Sequence, residues 1–280
     1  MERLDLDEKE IAEFLDGLSA GRELPALSGH KARLATGRNG AIAASWGRDG
    51  RIEAHAVIAP HGDRYALETA VAPRLEHAEG ERQVLDLTLG LVPRDAPFTV
   101  WAWRPSQQAA LEDMGFVPLR AVVRMRRSLP AAPPRVPDGV ELRPWRRGVD
   151  DEAIVAINRA AFADHPEQGA MTVDELVAVA RVTGTEPDDL VVATIDGAPV
   201  GFCWTRPVTP QEGEIHVIAV EPSVTGRGLG RALVLAGLEQ IHGRGGRRAR
   251  LWTDADNGRA VELYRRLGFA QDAVNVEYGP

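Results

Sequence analysis

Between residues 140 and 277 the spacing of apolar positions changes period repeatedly, and each change marks a predicted element. Val140-Glu141-Leu142-Arg143 alternates as a half-buried strand does, and residues 150–162 and 172–182 then carry apolar side chains at helical spacing. Apolar runs at 190–195 and 199–205 are parted by Asp196-Gly197, a dipeptide that tolerates the positive φ of a tight hairpin turn. A third strand at 214–220 runs into a glycine-rich turn and a helix at 229–242. A strand at 250–253, a helix at 258–267 and a last extended stretch at 273–277 follow. Antiparallel hairpins ahead of a strand–turn–helix crossover predict an α/β (α+β) fold.

The first half repeats part of this order. Val71-Ala72-Pro73 answers Val220-Glu221-Pro222, and the strand-like Phe98-Thr99-Val100-Trp101 answers Ala249-Arg250-Leu251-Trp252. Helices then end at Met114-Gly115-Phe116 and Leu267-Gly268-Phe269, each followed by an extended stretch. One repeat of this length predicts duplicated domains rather than a solenoid. Prolines 130, 133, 134 and 137 remove backbone donors and favour exposed, extended chain, so residues 129–139 read as a linker between domains at 1–128 and 140–280.

Composition narrows the functions open to such a chain. Lys plus Arg number 33 against 41 Asp plus Glu, a net charge of -8, which disfavours broad electrostatic binding to nucleic acid or an anionic membrane. No apolar run reaches the roughly 18 residues of a membrane span, and the charged start MERLDLDEKE does not read as a signal peptide, so the cytoplasm is the expected compartment. A single cysteine, Cys203, excludes an internal disulfide; it lies in a strand without a basic neighbour and is expected to be buried and inert. No His, Asp and Glu cluster has metal-ligand spacing, so no metal is expected.

The densest candidate chemistry is Thr225-Gly226-Arg227-Gly228-Leu229-Gly230-Arg231, a glycine-rich turn opening a helix. Glycine permits positive φ and close approach, so several N–H groups can converge on one anion at the positive end of the helix dipole. One strand further on stands Asn257-Gly258-Arg259-Ala260-Val261-Glu262-Leu263-Tyr264-Arg265-Arg266-Leu267-Gly268-Phe269. Together the two segments resemble the GNAT acyltransferase superfamily, with its Gln/Arg-x-x-Gly-x-Gly/Ala loop and its Asn-x-x-Ala-x-x-x-Tyr-x-x-x-Gly-Phe helix. The helix pattern matches at every defining position, and Thr225 stands where the loop pattern has Gln or Arg. Asn158-Arg159-Ala160-Ala161-Phe162-Ala163-Asp164-His165-Pro166-Glu167-Gln168-Gly169 resembles more narrowly the mycothiol synthase family, which fuses two GNAT domains.

This resemblance implies two tandem domains, each a mixed, mostly antiparallel sheet flanked by helices. It implies acetyl-CoA as co-substrate, held at the pyrophosphate by the amides of Gly226, Arg227, Gly228, Leu229, Gly230 and Arg231. Thr225 stands at the loop entrance, Asn257 at the later helix, and Ile218 and Val220 pair with the pantetheine arm. The acceptor it implies is a primary amine, the cysteinyl amine of a cysteine–glucosamine–inositol conjugate, with another amino sugar, a polyamine or a protein N-terminus as alternatives. A CoA-binding sensor without catalysis is the alternative of a different class. His165, Glu167 and Gln168 form a polar loop able to hydrogen-bond a sugar or polyol, and His216 joins them as a substrate contact.

Amide formation needs a base for the amine proton and an acid for the departing thiolate. Alternation puts Glu214 and His216 on one face of their strand; Glu214 is the expected base and His216 the competing one. By the family's helix, Tyr264 is the expected acid. In the first half, Glu79 and Glu81 align with Gly228 and Gly230, Arg104 with Asn257, and Leu111 with Tyr264, so that half is expected to be non-catalytic and to wall the acceptor cleft. The sequence leaves the oligomeric state open.

Overall fold

The computed structural model describes residues 1–19, 27, 35–37, 40–163, 169 and 171–280. They form two compact units, one of Met1–Val122 with Asp254–Asp256 and Val274–Pro280, the other of Val123–Thr253 with Asn257–Ala273. The expected mixed α/β architecture is present in both. Among the described residues no helix is long and apolar enough to cross a membrane.

The first unit runs β1 (Glu2–Leu4), α1 (Glu8–Ser19), β2 (Ile42–Arg48), β3 (Arg51–His61), β4 (Arg64–Val71), a 3-10 turn (Pro73–Leu75), α2 (Ala78–Leu89), β5 (Phe98–Ala102), α3 (Pro105–Asp113) and β6 (Val117–Ser128). Strands β1 to β4 are antiparallel neighbours and β5 joins parallel to β4. Asp49 and Gly50, with φ of 50° and 72°, make the tight turn between β2 and β3. Ile58, Leu67 and Val100 pack with Leu85 of α2 and Leu111 of α3. The other face carries Val57, Ala59 and Ala70 against Ile11 and Leu18 of α1.

His55, in β3, is wholly buried, and its Nδ1 lies 2.8 Å from Ser45 Oγ. Burial pulls its imidazole down to about 4, against a smaller opposing effect of a backbone hydrogen bond at Ala35. Below the ordinary histidine range the unfolded chain therefore takes up a proton that the folded chain refuses. Stability is expected to fall as pH drops from about 6.5 to about 4, by on the order of 3 kcal/mol from this group. Urea titrations at both ends of that window check this, and His55→Gln should flatten the slope; an unchanged slope would assign it to other groups.

The second unit contains β7 (Val140–Pro144), α4 (Asp151–Ala161), α5 (Val173–Val182), a 3-10 turn (Pro187–Asp189), β8 (Leu190–Ile195), β9 (Ala198–Thr209) and β10 (Glu212–Val220). A 3-10 turn (Pro222–Val224), α6 (Leu229–Gly243), β11 (Arg248–Asp254), α7 (Gly258–Arg266) and β12 (Ala270–Gly279) follow. Every element expected beyond residue 140 is present. Asp196 and Gly197, with φ of 50° and 79°, close the β8–β9 hairpin. Thr172 starts α5 with a capping box to Glu175.

Helices α4 and α5 cover one face of this sheet, burying Ile154, Leu176, Phe202, Trp204, Val217 and Ala219 in one core. Helix α6 covers the other so closely that a Cβ at Gly237 would stand 2.6 Å from Cys203 Sγ. Cys203 is fully buried, as expected, and burial pushes its thiol up to about 12.

The two units part inside β6, at Val122–Val123. The far end of β12 belongs to the first unit, where Val276 and Tyr278 pair with Ala102 and Val100 of β5. The far end of β6 belongs to the second, next to β11.

Candidate active site

Strand β10 frames the site because its two edges are treated differently. It pairs with β9 from Glu212 to Val220, whereas its parallel ladder with β11 ends at Ile215↔Leu251. Residues 216–220 therefore keep one backbone edge without a ladder partner among the described residues. Such an edge can accept an extended ligand as an added strand.

The register with β9 slips between Ile215↔Thr205 and Val217↔Trp204, which leaves His216 as the extra residue of a β-bulge. Before the bulge, Gly213 and Ile215 face α6; after it, Val217 and Ala219 join the core under α4 and α5. His216 lies on the side of Glu214, as alternation predicted, with Nδ1 3.5 Å from Glu214 Oε1. The Trp204 ring meets the imidazole edge-on at 5.3 Å. Ile218 and Val220 lie opposite Cys203 and Gly201 along the open edge, both partly buried.

Glu214 is 2% exposed, and arginines from both neighbouring strands grip its carboxylate. Arg206 Nε donates to Oε1 at 2.8 Å and Arg250 Nε donates to Oε2 at 2.8 Å. Burial alone would raise this carboxyl. The hydrogen bond with His216 and the charges of Arg206 and Arg250 outweigh burial and hold it down to about 2. It is thus an anion at every physiological pH, with little appetite for a proton.

At the end of β10 the chain makes its 3-10 turn and enters α6 through Thr225–Gly228. Gly226 and Gly228 both have φ of +84°, and nothing stands within 4 Å of where either Cβ would be. These two positions require glycine for their backbone, and they leave the approach to the helix N-terminus open. Gly230 makes no such demand; a Cβ there would only touch Leu263 and Val220 at ordinary distance. Leu229 is buried and anchors the first turn, while Arg227 and Arg231 are exposed. Thr225 Oγ1 donates to the Pro222 carbonyl at 3.0 Å. The open β10 edge and the N–H groups of this loop fit a thioester ligand with a pyrophosphate at its far end.

Helix α7 brings Tyr264 and Asn257. Asn257 Oδ1 caps the helix by accepting from the Ala260 N–H at 3.1 Å, which leaves its amide N–H groups for a ligand. Tyr264 is buried and edge-on to Phe269 at 5.9 Å. Burial, with a smaller contribution from Cys203, pushes its phenol well above the ordinary tyrosine range, so it keeps its proton. The pairing of Ile218 with Cys203, which faces α6, puts that thiol on the opposite side of the sheet from Glu214 and His216.

The first unit's counterpart of the loop departs from the expected alignment. Only Glu76 and His77 separate its 3-10 turn from α2, whereas four residues, Thr225 to Gly228, separate the corresponding elements of the second unit. By helix start, His77 rather than Glu79 stands opposite Gly228. Its Nδ1 accepts from the Gly80 N–H at 3.2 Å, so the chain caps its own helix N-terminus. Glu81 points inward, wholly buried, and takes Arg104 Nη2 at 2.9 Å. The shortened loop and this internal ion pair, rather than glutamates facing a ligand, set this end of α2 apart.

The structure thus brings Glu214 and His216 together, and it sets Ile218 and Val220 along the edge that leads to the glycine turn. His165, Glu167 and Gln168 lie outside the described residues. Sequence reasoning missed Arg206 and Arg250, which come beside Glu214 only through the registers of β9 and β11. It also missed the bulge, which leaves no mark in composition.

Residues 153–269 match the family model described as acetyltransferase (GNAT) family. A mycothiol acetyltransferase of Nocardia farcinica is 38% identical over 82% of this chain and 80% of its own length. One from Actinosynnema mirum is 34% identical over 95% and 91%. Among solved structures, a tandem GNAT protein from the clavulanic acid biosynthesis pathway superposes with a TM-score of 0.68 over 99% of this chain and 97% of that one. At 17% identity that likeness is one of fold.

Proposed function

The chain belongs to the mycothiol acetyltransferase family of GNAT enzymes, and on that premise we propose that its second unit moves acetyl from acetyl-CoA to the cysteinyl amine of a cysteine–glucosamine–inositol conjugate. The observation that carries the reading is the one-sided ladder of β10, which ends at a glycine turn and a helix N-terminus. The edge at Ile218 and Val220 holds the pantetheine arm as an added strand. The amides from Gly226 to Arg231, with Arg227 and Arg231 beside them, hold the pyrophosphate, and the amide of Asn257 completes the contact. Acetyl-CoA supplies the thioester carbon and the sulfur leaving group.

His216 takes the proton as the amine forms its bond to the acetyl carbon, with Glu214 as counter-ion on the Nδ1 side. His216 takes this role in place of Glu214, because a buried carboxylate paired to two arginines is a weak acceptor whereas the half-buried imidazole beside it offers a ring nitrogen as base. Tyr264 returns a proton to the sulfur as the C–S bond breaks. The first unit takes no part in holding the thioester.

The direct test is thiol release with acetyl-CoA against a panel of amines that includes the cysteinyl conjugate, an amino sugar, a polyamine and a peptide N-terminus. The conjugate should have the highest kcat/KM, and no turnover with any amine would favour a sensor. His216→Gln should lower kcat by roughly 10²–10⁴-fold at unchanged acetyl-CoA affinity and remove the acidic limb of the rate profile. Glu214→Gln should instead move that limb to lower pH, since it removes the anion that favours imidazolium. The reverse pattern would return the base to Glu214. Tyr264→Phe should slow turnover, and the parent should show no alkaline fall from this phenol near pH 8–9.

A further inference from the structure

We infer that Arg206 and Arg250 are positioning residues of the transfer site: from the strands on either side they clamp Glu214, and through it they set the orientation and the proton affinity of His216. The inference rests on reading Glu214 and His216 as the proton-accepting pair.

Both arginines are direct cross-strand partners of Glu214, Arg206 on β9 and Arg250 on β11. Their forks therefore reach the carboxylate from opposite sides and leave it little rotational freedom. One remaining arginine keeps a buried carboxylate charged, but stripped of both it would be strongly disfavoured as an anion and would take up a proton instead. Glu214 would then cease to orient the imidazole 3.5 Å away.

Charged side chains form a row that crosses five strands. Asp272, Arg126, Glu212, Arg250, Glu214 and Arg206 alternate in sign, with Arg126 2.9 Å from Glu212 and 3.1 Å from Asp272, and Arg250 3.9 Å from Glu212. Arg124 also pairs with Asp272, at 2.8 Å, and Arg248 lies 3.9 Å from Glu212, so every acid of the row is met by arginine. Within the second unit the charged groups facing the pair are Arg206 from β9, Arg250 from β11 and, through Arg250, Glu212 from β10 itself. Trp204 packs on His216 without charge. Deleting Arg206 or Arg250 removes one positive charge from beside Glu214, so His216 would hold its proton more tightly and be occupied when it should be accepting. The arginines thus keep the anion in place while limiting how strongly it stabilises imidazolium.

The experiment measures kcat/KM for the amine against pH in the full chain carrying Arg206→Met, Arg250→Met, Arg206→Lys or Arg250→Lys, with acetyl-CoA affinity measured by calorimetry. Each Met variant should lower kcat at least tenfold and move the acidic limb upward by about one pH unit, opposite to Glu214→Gln, with acetyl-CoA affinity unchanged. Each Lys variant keeps the charge and loses the fork, so kcat should fall while the limb stays. Folded Met variants whose limb coincides with the parent's would overturn the inference. Should the Met variants not fold, Lys variants with full kcat would overturn it, and Lys variants with reduced kcat at parental acetyl-CoA affinity would support it. A failure of the underlying reading is recognised separately, by an acidic limb that survives in His216→Gln.

Discussion

A fragment of residues 140–280 is expected to remain unfolded, whereas one of residues 123–280 should melt cooperatively. The proline-rich stretch invites a cut after residue 139, yet that cut removes the end of β6 that belongs to the second unit. With it go Met125, which is fully buried, and Arg124, whose guanidinium is paired to Asp272 at 2.8 Å. Arg126 is lost too, leaving Glu212, 4% exposed, without the arginine on its β6 side. Full burial of a Met side chain contributes about 1.5–3 kcal/mol, and breaking a buried ion pair by removing one partner costs about 3–5 kcal/mol. Asp272 is exposed and Glu212 keeps Arg248 and Arg250 at 3.9 Å, so the ion-pair losses are smaller than that; together with buried Met125 and the β6 strand itself they still remove a large part of an ordinary domain's stability, about 5–15 kcal/mol. Circular dichroism and thermal melts of the two fragments decide it; a cooperative melt from the shorter one would show that β6 is dispensable.

Gly228→Glu should remove acetyl-CoA binding from a chain that otherwise binds one molecule. The residue sits in the left-handed region at φ +84°, where a side chain costs about 1–2 kcal/mol, and the new carboxylate would stand at the start of the helix that receives the pyrophosphate. Strain and like-charge repulsion together predict a loss of about a hundredfold or more, or roughly 3 kcal/mol. Calorimetry should give one site per chain for the parent and none for the variant. Two equally tight sites in the parent would mean that the short, self-capped loop at His77 also binds. Parental affinity in Gly228→Glu would move the anion away from α6.

The second half was more legible than the first for reasons that lie in particular residues. Asp196-Gly197 marks a hairpin, Thr172 with Glu175 a helix start, and Gly226 to Gly230 a loop whose conformation few other residues can adopt. The first half offered a similar signal in Asp49-Gly50, but its strands at 42–71 are rich in alanine and carry charged or polar residues such as Glu53, His55 and Glu68 at buried positions. Such strands do not alternate cleanly, because polar side chains facing inward are satisfied by tertiary partners. The site shows the same limit. Glu214 and His216 could be paired by counting along a strand, whereas Arg206 and Arg250 come near them only through the register of two other strands, one of them 36 residues away. The two-residue deletion ahead of α2 was hidden because local matching of Val71-Ala72-Pro73 set the wrong frame for what followed.

The path of β12 has a consequence for how the protein is made. Synthesis runs from the N-terminus, and domains ordinarily close as they emerge at about 5–20 residues per second. Here the first unit includes Val274–Pro280, the last residues of the chain. At that pace its sheet must wait about ten seconds or more after β5 has been translated before its final strand arrives. Until then the edge of β5 remains open on the ribosome, and the half that is translated first becomes the one completed last.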